Sequence, residues 1–130
     1  MSSNVPDELF YHRDHLWVRA CAQADEVDIG ISDFAQKQLG TVMFVELPSV
    51  GEALIVGAVF GSVESFKVVS DLIAPVTGEV LEVNAGLRGA AGLVNDDCYG
   101  AGWLARIRLR DAGQLAELLS GDAYRSHVGL

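Results

Sequence analysis

Residues 27–31, Val-Asp-Ile-Gly-Ile, alternate apolar with polar or small side chains, the period of a strand with one face on a core. Ser32 or Asp33 then caps a short helix through Phe34, Ala35 and Leu39, and Gly40 ends it. Upstream, residues 9–20 read as a strand region with Trp17 and Val18 as core contributors. Downstream, residues 42–47 form a strand stopped by Pro48, and Ser49-Val50-Gly51-Glu52 is turn chemistry. Two apolar runs follow, 53–56 and 58–63, separated by Gly57. Past Pro75, residues 76–84 read as a strand whose last half alternates strictly, and 104–110 as another, with a slip at Ala105. Asp111 with Gln114 has the spacing of a capping box, putting Leu115, Leu118 and Leu119 on one face of a helix ended at Gly121. Asp122 starts a last short helix through Tyr124 and Val128. Strands dominate the middle and helices the end, so the expected fold is mainly β, a two-sheet sandwich or flattened barrel with short peripheral and C-terminal helices.

At 130 residues, half of them hydrophobic, the chain fits one domain with a sizeable core. Nine Lys+Arg against eighteen Asp+Glu give a formal charge of −9, which repels phosphate backbones and anionic lipid and favours basic protein partners over nucleic acid or membrane. Cys21 and Cys98 lie far apart in no metal or disulfide spacing. Residues 1–10 show neither a signal peptide nor a transit peptide, and the longest apolar run, 53–60, is too short to span a bilayer, so a cytoplasmic location is expected.

The composition makes one position conspicuous. Lys67 is one of two lysines and sits in Val63-Glu64-Ser65-Phe66-Lys67-Val68-Val69-Ser70-Asp71, among apolar residues of strand type. Burying an unpaired ammonium costs several kcal/mol, about 3 or more, or drives its pKa far down, so display on a turn between two strands is the cheaper arrangement. A displayed lysine in that setting reads as a modification site. Other candidates are weaker. His12 and His15 have HxxH spacing but no accompanying carboxylate or thiolate cluster, and His15 reads as a hydrogen-bonded histidine beside Trp17. Gly86, Gly89 and Gly92 lack the P-loop lysine, and Asp96-Asp97 reads as a solvated pair. The arginines at 106, 108 and 110 read as a solvated face. No GxSxG or HExxH is present, so hydrolytic chemistry has no support, and a carrier role is the remaining link to catalysis.

The stretch from Glu64 to Val80, Glu-Ser-Phe-Lys-Val-Val-Ser-Asp-Leu-Ile-Ala-Pro-Val-Thr-Gly-Glu-Val, resembles the lipoyl-lysine hairpin of the glycine cleavage system H proteins. His15-x-Trp17, Gly30-Ile31-Ser32-Asp33-Phe34-Ala35-Gln36, Leu39-Gly40, Phe44-Val45-Glu46-Leu47-Pro48, Leu93-Val94-Asn95, Tyr99-Gly100-x-Gly102-Trp103 and Asp122-Ala123-Tyr124 are similar to further motifs of that family, in the same order. The resemblance covers nearly the whole chain. It implies a hybrid of two β-sheets of the lipoyl-biotinyl type, residues 1–130 as one carrier domain with the hairpin-bearing part at about 24–110 and C-terminal helices at 111–129.

It also implies lipoate in amide linkage to Lys67, on a hairpin supported by Glu64, Ser65, Phe66, Val68, Ser70 and Asp71. The implied role is a non-catalytic carrier taking an aminomethyl group from the P protein, a pyridoxal-phosphate glycine decarboxylase, to the T protein, an aminomethyltransferase, and presenting dihydrolipoyl thiols to the L protein, dihydrolipoyl dehydrogenase. A lipoate ligase or a lipoyl/octanoyl transferase would attach the group. The alternative is an H-like paralogue that relays or stores lipoyl groups for other complexes. Three positions depart from the family pattern: Leu16 in place of Glu, Cys98 in place of Pro, and Ala91 in place of Pro. A glutamate beside the arm would pair with an aminomethyl ammonium, which Leu16 cannot do. Asp14 is close by in the sequence and is the candidate substitute.

Overall fold

The computed structural model describes residues 4–130. In chain order the strands are β1 (Phe10–Tyr11), β2 (Leu16–Ala20), β3 (Glu26–Ile31), β4 (Val42–Glu46), β5 (Ala53–Leu54), β6 (Val59–Ser65), β7 (Val69–Ile73), β8 (Gly78–Val83) and β9 (Ala105–Leu109). The helices are α1 (Asp33–Leu39), α2 (Leu93–Asp96) and α3 (Gly121–Val128), with 3-10 turns at Ala85–Arg88 and Ala112–Glu117. Six strands form one sheet in the order β1-β2-β3-β9-β8-β5, and three form a second in the order β4-β6-β7, every pairing antiparallel. This is the mainly β, two-sheet architecture expected, and the sheets do not close into a barrel.

The alternation along each strand divides the apolar residues between two cores. Val18, Ile29, Val80 and Ile107 of the large sheet pack with Val42, Val63 and Leu72 of the small one. On the other face of the large sheet, Trp17 and Tyr11 pack with Val5, Leu9 and Tyr124 of α3. Full burial of each such aliphatic side chain contributes roughly 1.5–3 kcal/mol, so the register of β2, which places Trp17 on one core and Val18 on the other, is strongly specified. The indole of Trp17 is buried with its N–H donating to the Cys98 carbonyl at 2.9 Å, which removes the cost of an unpaired polar group. Gly30 lies directly across the ladder from Trp17, and a methyl group there would overlap the indole.

The slip at Ala105 resolves simply. Ala105, Ile107 and Leu109 all face the core, while Leu104, just before β9, is also buried and donates its N–H to Ile29. Of the arginine row, Arg106 pairs with Asp28 at 2.9 Å and Arg108 with Glu79 at 3.4 Å across the ladder. The predicted helix after Asp111 is instead the 3-10 turn Ala112–Glu117. Asp111 does cap it, accepting from Gly113 N–H at 2.9 Å, but Gln114 does not reach back to complete a capping box. Its amide binds both backbone groups of Thr77, at 2.7 and 2.9 Å, and so fastens the segment to the chain before β8. Gly121 opens α3 rather than ending a helix, and Ser120, not Asp122, is the cap. Among the described residues no helix is long and apolar enough to cross a membrane.

Candidate functional site

β6 and β7 form a hairpin in register Val63↔Ser70 and Glu64↔Val69, which leaves Phe66, Lys67 and Val68 at its tip. Ser65 closes it. This residue is 6% exposed; its N–H donates to the Val68 carbonyl at 2.9 Å, and its hydroxyl oxygen accepts from the N–H groups of Lys67 and Val68, both at 3.3 Å. The amides of Lys67 and Val68 are thus satisfied inside the hairpin, and the side chains are free to point out: Phe66 is 76% exposed, and Lys67 and Val68 are exposed with it. Outside the hairpin, Phe66 N–H donates to the Thr41 carbonyl at 3.2 Å. The stem of Lys67 passes over Gly40, whose φ of 76° and lack of a side chain suit the close approach; a Cβ there would lie 3.4 Å from Lys67 Cε.

The other expected hairpin residues have distinct placements. On the outer face of the small sheet, Glu64 lies between Phe44 and Val69, and Ser62 between Glu46 and Asp71. The opposite side of β7 borders a cleft of about 350 Å³, lined by Asp14, Leu16, Ile31, Leu39, Val68 and Asp71 among others, with Ser70 and Ala35 on its walls. It is apolar in its depth and has Asp14 at its edge, while Asp71 borders it from a position on the outer face, so it suits a short hydrocarbon chain ending in a polar or cationic group.

Asp14 is not on a strand. It sits in the turn before β2, where His15 adopts φ 78°, and it lines the same cleft as Leu16. Leu16 is 3% exposed and belongs to the main core. His12 and His15 do not converge. His12 Nδ1 accepts from Asp14 N–H at 3.1 Å, and burial lowers its pKa while the Asp14 carboxylate opposes the shift. His15 bonds the Tyr124 hydroxyl at 2.8 Å, and the same hydroxyl bonds Ser32 Oγ at 2.7 Å. Burial first, and then His127, lower the pKa of His15, while burial pushes Tyr124 up to about 12. No group of three or more His, Cys, Asp or Glu is arranged to hold a metal among the described residues.

The remaining candidates have structural duties. Asp97 accepts from Ala101 N–H at 2.9 Å, and the glycine-bearing segment begins with the turn Ala85–Arg88, capped by Asn84. The Cys98 thiol is buried and pushed up to about 12; its carbonyl, which a proline would also offer, holds Trp17. One residue gained no role from sequence reasoning. Asn95 accepts from Val42 N–H at 2.8 Å and donates to the carbonyl of Gly40 at 2.8 Å and to Gln36 Oε1 at 2.9 Å, gripping the turn beneath Lys67.

The family model of the glycine cleavage H-protein matches residues 9–129. A glycine cleavage system H protein of Chlorobium limicola is 48% identical over 126 residues, covering 97% of this chain and 98% of the relative. One from Mycobacterium avium is 50% identical over 127 residues, 95% and 96% of the two chains. The crystal structure of a glycine cleavage system H protein from Mycobacterium marinum superposes with a TM-score of 0.88 at 38% identity, covering 97% of this chain and all of that one. With the fold, the motif order and these relatives in agreement over nearly its whole length, the chain belongs to the glycine cleavage H-protein family.

Proposed function

We propose that Lys67 is the point of attachment of an amide-linked lipoyl group and that the protein is the non-catalytic carrier of the glycine cleavage system. The observation that carries this is the placement of an exposed primary amine at the tip of an internally hydrogen-bonded hairpin, next to a cleft that is apolar inside and has Asp14 at its edge. Acylation replaces the ammonium with a neutral amide, which suits the flanking Phe66 and Val68. The bound dithiolane supplies the redox and group-carrying chemistry. This chain presents the arm, limits where its root can point, and offers Asp14 to a cationic end. The carrier takes the aminomethyl group from the P protein to the T protein and meets the L protein for reoxidation. The long arm on a fixed root gives a high effective concentration at each partner's site. Glu64, Ser65, Phe66, Val68, Ser70 and Asp71 form the surface that a lipoate ligase or a lipoyl/octanoyl transferase recognises. Residues 1–130 work as one unit in the cytoplasm.

Intact-mass measurement of protein from its native host tests the modification: one lipoyl group is expected, mapping to Lys67 and absent from Lys67→Ala. A native protein without it overturns the reading. Reconstitution with the host's P, T and L proteins then tests the role. Glycine-dependent carbon dioxide release is expected with the lipoylated protein. Lipoylation without such release would place the protein among lipoyl-relaying paralogues instead.

A further inference from the structure

The hairpin tip is held internally by Ser65, but those bonds fix its shape and not its direction relative to the body of the protein. Direction depends on what the tip touches outside itself. Phe66 N–H reaches the Thr41 carbonyl, and Lys67 Cε lies over Gly40. Thr41 stands between two residues that Asn95 grips at once, the Gly40 carbonyl on one side and the Val42 N–H on the other. Gly40, at φ 76° and ψ −160°, occupies backbone space that glycine alone enters freely, so the turn needs an outside hold to stay in place. Gln36 of α1 supplies the far anchor: its side chain accepts from Asn95, and its carbonyl accepts from Gly40 N–H at 3.1 Å.

We propose that Asn95 is a positioning residue for the modification of Lys67: by clamping residues 40–42 it fixes the carbonyl that aims the hairpin tip. This rests on the reading of Lys67 as the lipoylated lysine. Asn95 touches neither the amine nor any cofactor and acts through Thr41 and Gly40. Without the clamp the tip samples a wider range of directions, and the modifying enzyme finds the productive one in only a fraction of molecules. The apparent affinity falls by that fraction while the step after docking is unchanged, so KM rises and kcat does not.

The test is steady-state lipoylation of the unmodified protein by a lipoate ligase, with amide exchange at Phe66 followed in parallel. Asn95→Asp keeps the shape and the acceptor for Val42 but loses both donated bonds; Asn95→Ala loses all three. Asn84→Ala is the structural control, because Asn84 also makes three bonds, to Ala101, Trp103 and Gly86, in a loop away from the hairpin. Both Asn95 variants are expected to raise KM about tenfold, with kcat within about twofold of wild type, and to speed Phe66 exchange about tenfold. Asn84→Ala is expected to lower the melting temperature without either change. A folded Asn95→Asp with wild-type KM, or an equal rise in KM for Asn84→Ala, overturns the proposal. If wild-type protein takes no lipoate at Lys67, the carrier reading fails. Phe66 exchange still decides on the clamp, and a wild-type rate in Asn95→Ala overturns it.

Discussion

Leu16 and Asp14 divide between them a position that most of the family is implied to fill with one glutamate. Leu16 is buried among core residues and gives the cleft an apolar wall. Asp14, two residues earlier, comes to the same cleft because the left-handed turn at His15 redirects the chain before β2 begins. A strand reading of residues 9–20 misses this turn, since alternation cannot register a single residue of positive φ. Asp14 is therefore the carboxylate residue that borders this part of the cleft. On an aminomethyl-loaded arm, Asp14→Asn is expected to hasten spontaneous loss of the group about fivefold, the equivalent of roughly 1 kcal/mol for a half-exposed ion pair. Leu16→Glu is expected to slow it. Release of formaldehyde and ammonia from loaded protein, followed over time, checks both; rates equal to wild type in both variants remove any protective role for a carboxylate at these positions.

At the scale of elements, the contrast between α1 and the segment before α3 shows what local sequence can specify. Ser32 accepts from Ala35 N–H at 3.2 Å and Gly40 turns the chain out of the helix, both within the segment itself, so α1 and its end were legible, with the cap narrowed to Ser32 or Asp33. Gln114 instead serves Thr77, 37 residues away, and Asn95 serves Val42, Gly40 and Gln36 at separations of 53 to 59. Neither spacing nor periodicity carries such pairings, which is why the lysine was legible and its footing was not. The docking of α3 is another long-range arrangement, and it brings a pH dependence. Tyr124 stacks on Tyr11 with centroids 4.6 Å apart and bonds His15 and Ser32, while His127 bonds the Arg13 carbonyl at 2.9 Å. Burial and the neighbouring His127 and His12 lower the folded pKa of His15, with Asp14 opposing them; Arg125, paired to Asp7 and Asp122, stays charged throughout. A histidine whose folded pKa is depressed gives stability that is fully present above its unfolded value of about 6.5 and is lost as pH falls through the folded value. The melting temperature is expected to fall between about pH 7 and pH 5, and less steeply in His15→Asn, which tolerates the positive φ. An unchanged slope in that variant removes His15 from the linkage.

On the scale of the whole molecule, the excess of acidic residues has a direction. The outer face of the small sheet carries Glu46, Glu64 and Asp71 beside the exposed apolar side chains of Phe44, Val69 and Phe66, all close to the lysine hairpin. The large sheet, by contrast, neutralises part of its charge in the pairs Arg106–Asp28 and Arg108–Glu79. The proposed acylation of Lys67 would remove a positive charge from the acidic side and deepen the asymmetry. Such a field would steer basic partner surfaces toward the face that bears Lys67, raising association rates without requiring tight binding, and salt screens it over about 8 Å at 0.15 M. Association with the enzymes of the glycine cleavage system, followed by stopped flow, is therefore expected to slow about tenfold between about 20 and 300 mM salt, with a much smaller change in the dissociation rate. Glu46→Gln should flatten that dependence, whereas Glu82→Gln, which removes the same single charge from the large sheet, should leave it nearly unchanged. Equal flattening by both would mean that net charge alone sets the rate; only a difference between them shows that the side of the molecule carrying Lys67 is the side that partners approach.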